Sequence, residues 1–81
     1  MERRIFKELS TAVNDYLSKE KRTFQWLDRY TKRILSRTNY KADTQSEWHK
    51  ILNDCRISKV EVGYKLNKRI RNFVDNYIEI S

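Results

Sequence analysis

The sequence predicts an all-α protein, a compact bundle of three or four short helices. There is no proline and only one glycine, Gly63, among its 81 residues, so the two residue types that most often interrupt helices are nearly missing. In addition, apolar residues recur at three- and four-residue spacing, which is the period of a helix with one buried face. No linker or composition shift divides the chain, and we expect a single domain over 1–81.

A chain of this length has a thin core and needs additional support. Domains of this size bury roughly 60–65% of their unfolded surface, and small domains often add disulfides or a metal. The lone cysteine, Cys55, cannot form an internal disulfide, and together with His49, Glu47 and Asp54 it has no zinc-ligand spacing. We therefore expect no metal and no cofactor, and stability from helix packing or from a homodimer that completes the bundle.

The first half of the chain predicts two helices. The first runs over about 2–18, and its apolar stripe is Ile5, Leu9, Ala12, Val13, Tyr16 and Leu17. Residues 18–23 contain no apolar side chain and predict a turn, the alternative being one continuous helix. The second helix runs over about 23–37, with the stripe Phe24, Leu27, Tyr30, Thr31, Ile34 and Leu35, and residues 38–43 predict a loop.

Two capping boxes divide the second half. Each has a hydroxyl residue followed three positions later by glutamate, Thr44 with Glu47 and Ser58 with Glu61. They predict a short third helix with the stripe Trp48, Ile51, Leu52 and Cys55, and a fourth helix from Ser58 to about Ile78 with the stripe Leu66, Ile70, Phe73, Val74 and Tyr77. The alternation in 60–66 also fits a strand, but no second strand is evident to pair with it, which favours a helix.

Positive charge is the main functional feature of the sequence. Eighteen Lys and Arg against eleven Asp and Glu give a net charge of +7, which predicts an anionic partner: nucleic acid, an acidic protein surface or, as the third hypothesis, an acidic membrane surface. The polar face of the second helix carries a column, Arg29, Arg33 and Arg37, with Lys32 beside it and Trp26 near its edge. The guanidinium group of an arginine can donate two parallel hydrogen bonds to phosphate oxygens, and the indole of a tryptophan can stack on a base. The alternative is that the column pairs with carboxylates of another helix or of a protein partner.

A second basic group lies in the last third of the chain, at Lys59, Lys65, Lys68, Arg69 and Arg71. A helix-turn-helix would place such residues against DNA, and two incompatible frames fit. One has its turn at residues 55–58. The other has its turn at Asn67, between helices at 59–66 and 68–77. Helical hairpins without DNA-binding roles are the commoner alternative.

Catalysis is not expected. One glycine cannot build a phosphate-binding loop, and no nucleophile or carboxylate pair stands in a recognisable setting. The single thiol and the lack of an apolar segment predict a cytoplasmic protein without membrane insertion. We predict a small basic nucleic-acid-binding protein of the accessory or regulatory kind. The alternative is a protein-binding modulator or inhibitor, of the phage or plasmid accessory type, that docks on an acidic surface of a larger protein.

Overall fold

Four α-helices form a bundle in the part of the chain that the structure describes. The computed structural model describes residues 3–38, 44–57 and 64–78, and within them lie α1 (Arg3–Ser18), α2 (Phe24–Ser36), α3 (Thr44–Ile57) and α4 (Tyr64–Tyr77). The predicted all-α class is therefore confirmed, and the described residues contain four helices. Residues 58–63, which include Ser58, Lys59 and most of the segment for which a strand was the alternative prediction, lie outside the described residues, while Tyr64 and Leu66 of that segment are helical.

Helix α1 lies antiparallel to both α2 and α4. Toward α2, Glu8 pairs with Arg37 and Tyr16 meets Phe24 edge to face, so the residue numbers run in opposite directions. Toward α4, the Ser10 hydroxyl donates to Asn67 Oδ1 at 3.1 Å, and the Arg71 guanidinium lies over the Phe6 ring. Helix α1 therefore lies between α2 and α4 on one side of the bundle.

Helix α3 closes the other side of the bundle. Its contacts also run in opposite directions along the helices: His49 with Asp28 and Arg56 with Phe24 toward α2, and Asp54 with Arg69 and Trp48 with Phe73 toward α4. The four helices therefore alternate up and down around the bundle, as short connections favour. It follows that α2 and α4 stand at opposite corners, each touching α1 and α3.

The predicted apolar stripes form one continuous core. Its buried apolar members are Ile5, Leu9, Ala12, Val13, Tyr16, Leu27, Ile34, Leu35, Trp48, Ile51, Leu52, Cys55, Leu66, Ile70, Phe73, Val74 and Ile78. Thr31 is buried with them, and its hydroxyl donates to the Leu27 carbonyl at 2.8 Å. Four stripe members are less buried than predicted: Leu17, Phe24 and Tyr77 are half-buried, and Tyr30 is exposed. All four lie at the ends or edges of their stripes, where periodicity alone does not fix burial.

The turn between α1 and α2 is confirmed, and the alternative of one continuous helix is wrong. The Thr23 side chain accepts a hydrogen bond from the Trp26 backbone N–H at 3.0 Å, which caps α2 at its first turn. At the third helix the prediction is less accurate. Helix α3 begins at Thr44 itself, so Thr44 is its first helical residue rather than the cap that precedes it.

Loss of the α2 cap has a predictable cost. We expect Thr23→Ala to lower the free energy of unfolding by about 1 kcal/mol, because an N–H of the first turn loses its acceptor. Urea denaturation followed by circular dichroism measures this loss. Thr23→Ser keeps the hydroxyl and is expected to retain most of the stability. Equal losses in the two variants would contradict a capping role.

Candidate nucleic-acid interface

The predicted arginine column of α2 is only partly available to a ligand. Arg37 donates to both carboxylate oxygens of Glu8 in α1, each at 2.8 Å. Lys32 lies 3.2 Å from Asp28, one turn earlier on the same helix. Arg37 and Lys32 are therefore already paired with carboxylates. For Arg37 the alternative prediction, that the arginine column pairs with carboxylates of another helix, is correct. Both pairs are solvent-exposed and add little stability, but they lower the local charge that a ligand would meet.

Arg29 and Arg33 are different. Both are exposed, and neither forms an ion pair with a carboxylate of the described residues. They lie one turn apart, about 6 Å along the helix axis. With four neighbours they line a shallow groove of about 350 Å³, the others being Thr23, Gln25, Trp26 and Tyr30. The free positive charge of α2 is therefore concentrated at this groove.

Trp26 is not the open ring that the sequence predicts. Its indole is half-buried and contacts the Arg22 guanidinium, 4.2 Å from the ring centroid. It also stacks on Tyr30 at 5.2 Å between centroids, with 27° between the ring planes. Tyr30 is 44% exposed, so the accessible ring belongs to a residue that the periodicity assigned to the core. The four-residue spacing of Trp26 and Tyr30 within α2 is the sequence feature that predicts the contact between the two rings.

We call the group formed by Arg22, Trp26, Arg29, Tyr30 and Arg33 the arginine–aromatic surface. It combines two exposed guanidinium groups, those of Arg29 and Arg33, with one exposed aromatic ring, and neither guanidinium has a described carboxylate partner. Four of the five residues lie on the backbone of α2, whose first turn is capped, and Arg22 lies just before it. Such an arrangement is suited to binding phosphates and flat π systems.

The basic residues of α4 form a separate surface. Lys65 and Lys68 are exposed and form no ion pair with the described carboxylates, whereas Arg69 lies 2.9 Å from Asp54 of α3. The Arg71 guanidinium stacks over Phe6 at 5.2 Å. Lys59 lies outside the described residues. Because α2 and α4 occupy opposite corners, the two groups of predicted site residues do not form one continuous patch.

Both helix-turn-helix frames are wrong. The first requires a turn at residues 55–58, but α3 remains helical through Ile57. The second requires a turn at Asn67, but α4 runs unbroken from Tyr64 to Tyr77, and Asn67 accepts the Ser10 hydroxyl from its second helical turn. The capping sequence and the permissive asparagine are compatible with a turn but do not impose one. The basic residues of α4 are therefore not part of a recognition helix in either frame.

Cys55 and His49 are the remaining reactive side chains that the sequence analysis considered. Cys55 is buried in the core, and His49 Nε2 lies 3.5 Å from Asp28 Oδ1. Within 3–38, 44–57 and 64–78, no three His, Cys, Asp or Glu residues group in a way that would hold a metal ion. None of the helices in these ranges has the length and apolar character needed to cross a membrane. Comparison with protein-family models, curated proteins and solved structures gave no significant match.

Proposed function

We propose that the protein binds nucleic acid through the arginine–aromatic surface. The observation that carries this proposal is the position of Arg29 and Arg33, two exposed guanidinium groups one turn apart in a groove beside an exposed tyrosine. Arginine binds phosphate oxygens through two parallel hydrogen bonds, and its charge persists at every physiological pH. In this proposal the lysines at the opposite corner, Lys65 and Lys68, add long-range attraction rather than direct contacts.

The role that fits this surface is accessory rather than catalytic. Two arginines without carboxylate partners would contact few phosphates. We therefore propose that the protein binds nucleic acid with modest affinity and assists larger nucleic-acid-binding proteins. A regulatory or accessory protein of a phage or plasmid, acting in the cytoplasm, is the biological setting we favour. Homodimerisation would double the number of phosphate contacts, and the end of α3 offers an apolar contact for it, since Ile57 is 83% exposed.

A second candidate function is docking on an acidic protein surface. Its support is that Arg37 and Arg69 each hold a carboxylate from another helix. Trp, Tyr and Arg are also the residues most enriched in protein-binding hot spots. On this proposal the arginine–aromatic surface contacts aspartate and glutamate side chains of a larger protein. A pull-down with nuclease-treated extract would retain one acidic protein, and Arg29→Glu combined with Arg33→Glu would release it.

The salt dependence of binding tests the first candidate. We expect oligonucleotide affinity to fall steeply between about 50 and 200 mM salt, because bound phosphates release their counterions. Arg33→Ala is expected to reduce the slope of log affinity against log salt by about one, since one phosphate contact is lost. Fluorescence anisotropy with labelled oligonucleotides measures both quantities.

A matched control is Lys50→Ala, which removes the same charge from the α3–α4 side of the bundle. We expect its salt slope to equal that of the wild type. A slope reduced as much as in Arg33→Ala would mean that binding depends on net charge and not on the arginine–aromatic surface. Absence of binding to DNA and RNA at the lowest salt would overturn the nucleic-acid proposal.

A further inference from the structure

We infer that the arginine–aromatic surface binds single-stranded nucleic acid, by stacking an unpaired base on Tyr30. This inference rests on the proposed function and specifies its ligand. It comes from the geometry of the rings, which is independent of the charge that supports phosphate binding.

The rings form a stack that is in place before a ligand binds. The Arg22 guanidinium lies over Trp26, and Trp26 stacks on Tyr30 at 5.2 Å. Trp26 and Tyr30 are four positions apart in α2, so the two rings stack along the helix axis, and Arg22 contacts Trp26 from the turn before the helix. Because Trp26 is half-buried against the core, it holds Tyr30 in position. A base added to this stack needs little further ordering of the protein, which favours affinity.

Tyr30 is the open end of the stack. The Tyr30 ring stacks on Trp26, and no other ring of the described residues contacts the Tyr30 ring. At 44% exposure it is one of only two large apolar residues that are exposed in the described ranges. An aromatic ring fixed on one side and open to solvent on the other is the usual platform for an unpaired base.

The arginines lie where the backbone of that strand would pass. Arg29 precedes Tyr30, and Arg33 follows it by one turn, and both line the same groove as the ring. A base inside a duplex is covered on both faces, so reaching Tyr30 would require unstacking it at an energetic cost. A single strand offers the base without this cost. Stacking does not distinguish one base edge from another, so we expect weak sequence preference.

The test compares a labelled oligo(dT) strand, an abasic strand of the same length, and a blunt duplex, in fluorescence anisotropy at low salt. We expect oligo(dT) to bind about tenfold or more tightly than either other ligand. Tyr30→Ala should weaken oligo(dT) binding by about 5–150-fold, while Tyr30→Phe, which keeps the ring, should bind like the wild type. The alanine variant should no longer distinguish oligo(dT) from the abasic strand.

The outcomes separate this inference from the proposed function. If Tyr30→Ala binds oligo(dT) as the wild type does while Arg33→Ala weakens it, base stacking is wrong and phosphate binding stands. Equal wild-type affinity for the abasic strand would also overturn stacking, and this comparison does not depend on the folding of any variant. If no strand or duplex binds, both proposals fail together, and the protein partner remains.

Discussion

Replacing Trp48 with alanine is expected to lower the free energy of unfolding by about 3–5 kcal/mol. The side chain is only 1% exposed, and its ring packs on Phe73 of α4 with 5.0 Å between centroids. Domains of this size have a total stability of about 4–12 kcal/mol, so the variant would lose a large part of it. Urea denaturation followed by circular dichroism measures the loss.

Trp48→Phe is the control for that experiment. Phenylalanine keeps an aromatic ring against Phe73 and removes the indole Nε1–H, which is buried and meets no acceptor among the described residues. Removing an unsatisfied donor relieves its desolvation cost and offsets part of the lost packing. We therefore expect a clearly smaller loss than in Trp48→Ala. If the two variants are equally destabilised, the ring of Trp48 does not support the α3–α4 contact as we describe.

Leu9→Ala is the second substitution with a large expected effect, about 2–5 kcal/mol of unfolding free energy. Leu9 is fully buried in α1, the helix that packs against both α2 and α4. A cavity there would loosen two helix contacts together, and close packing leaves little room for the site to collapse. Urea denaturation measures this loss. If the m-value, which is the slope of unfolding free energy against urea concentration, is unchanged, the shift of the midpoint reports the change in stability.

Thr11→Ala, on the exposed face of the same helix, is the matched control. We expect its stability to stay within about 0.5 kcal/mol of the wild type, because surface substitutions away from caps and networks have small effects. A loss as large as that of Leu9→Ala would mean that the effect is not specific to the buried face of α1, because alanine has a higher helix propensity than threonine.

The charge pattern shows where sequence reasoning about the site was sound and where it was incomplete. The spacing of Arg29 and Arg33 correctly predicted two exposed neighbours on one face of α2. Pairing of the column with another helix was the alternative prediction, but the spacing did not show that Arg37 is the member that pairs or that Glu8 is its partner, because both depend on which helix lies beside α2 and in what register. For the same reason the sequence did not separate the α2 and α4 groups, which stand at opposite corners of the bundle.

The aromatic residues show a related limit. Tyr30 falls on the apolar stripe of α2 by spacing, yet it lies exposed at the edge of that stripe and stacks on Trp26. Trp26 falls on the polar face by spacing, yet it packs partly against the core. Periodicity assigns a residue to a face, but the width of the buried face depends on the neighbouring helix. The roles of these two rings are therefore set by packing.

The sequence by itself determined the all-α class, most of the core and the net positive charge, and it predicted three or four helices where the described residues contain four. These follow from the absence of proline, the three- and four-residue apolar spacing and the composition, all of which act locally along the chain. The tertiary structure decided which cations are neutralised, which ring is open and which basic groups share a surface. Those properties depend on distances between helices that are far apart in sequence, and spacing along one helix carries no information about them.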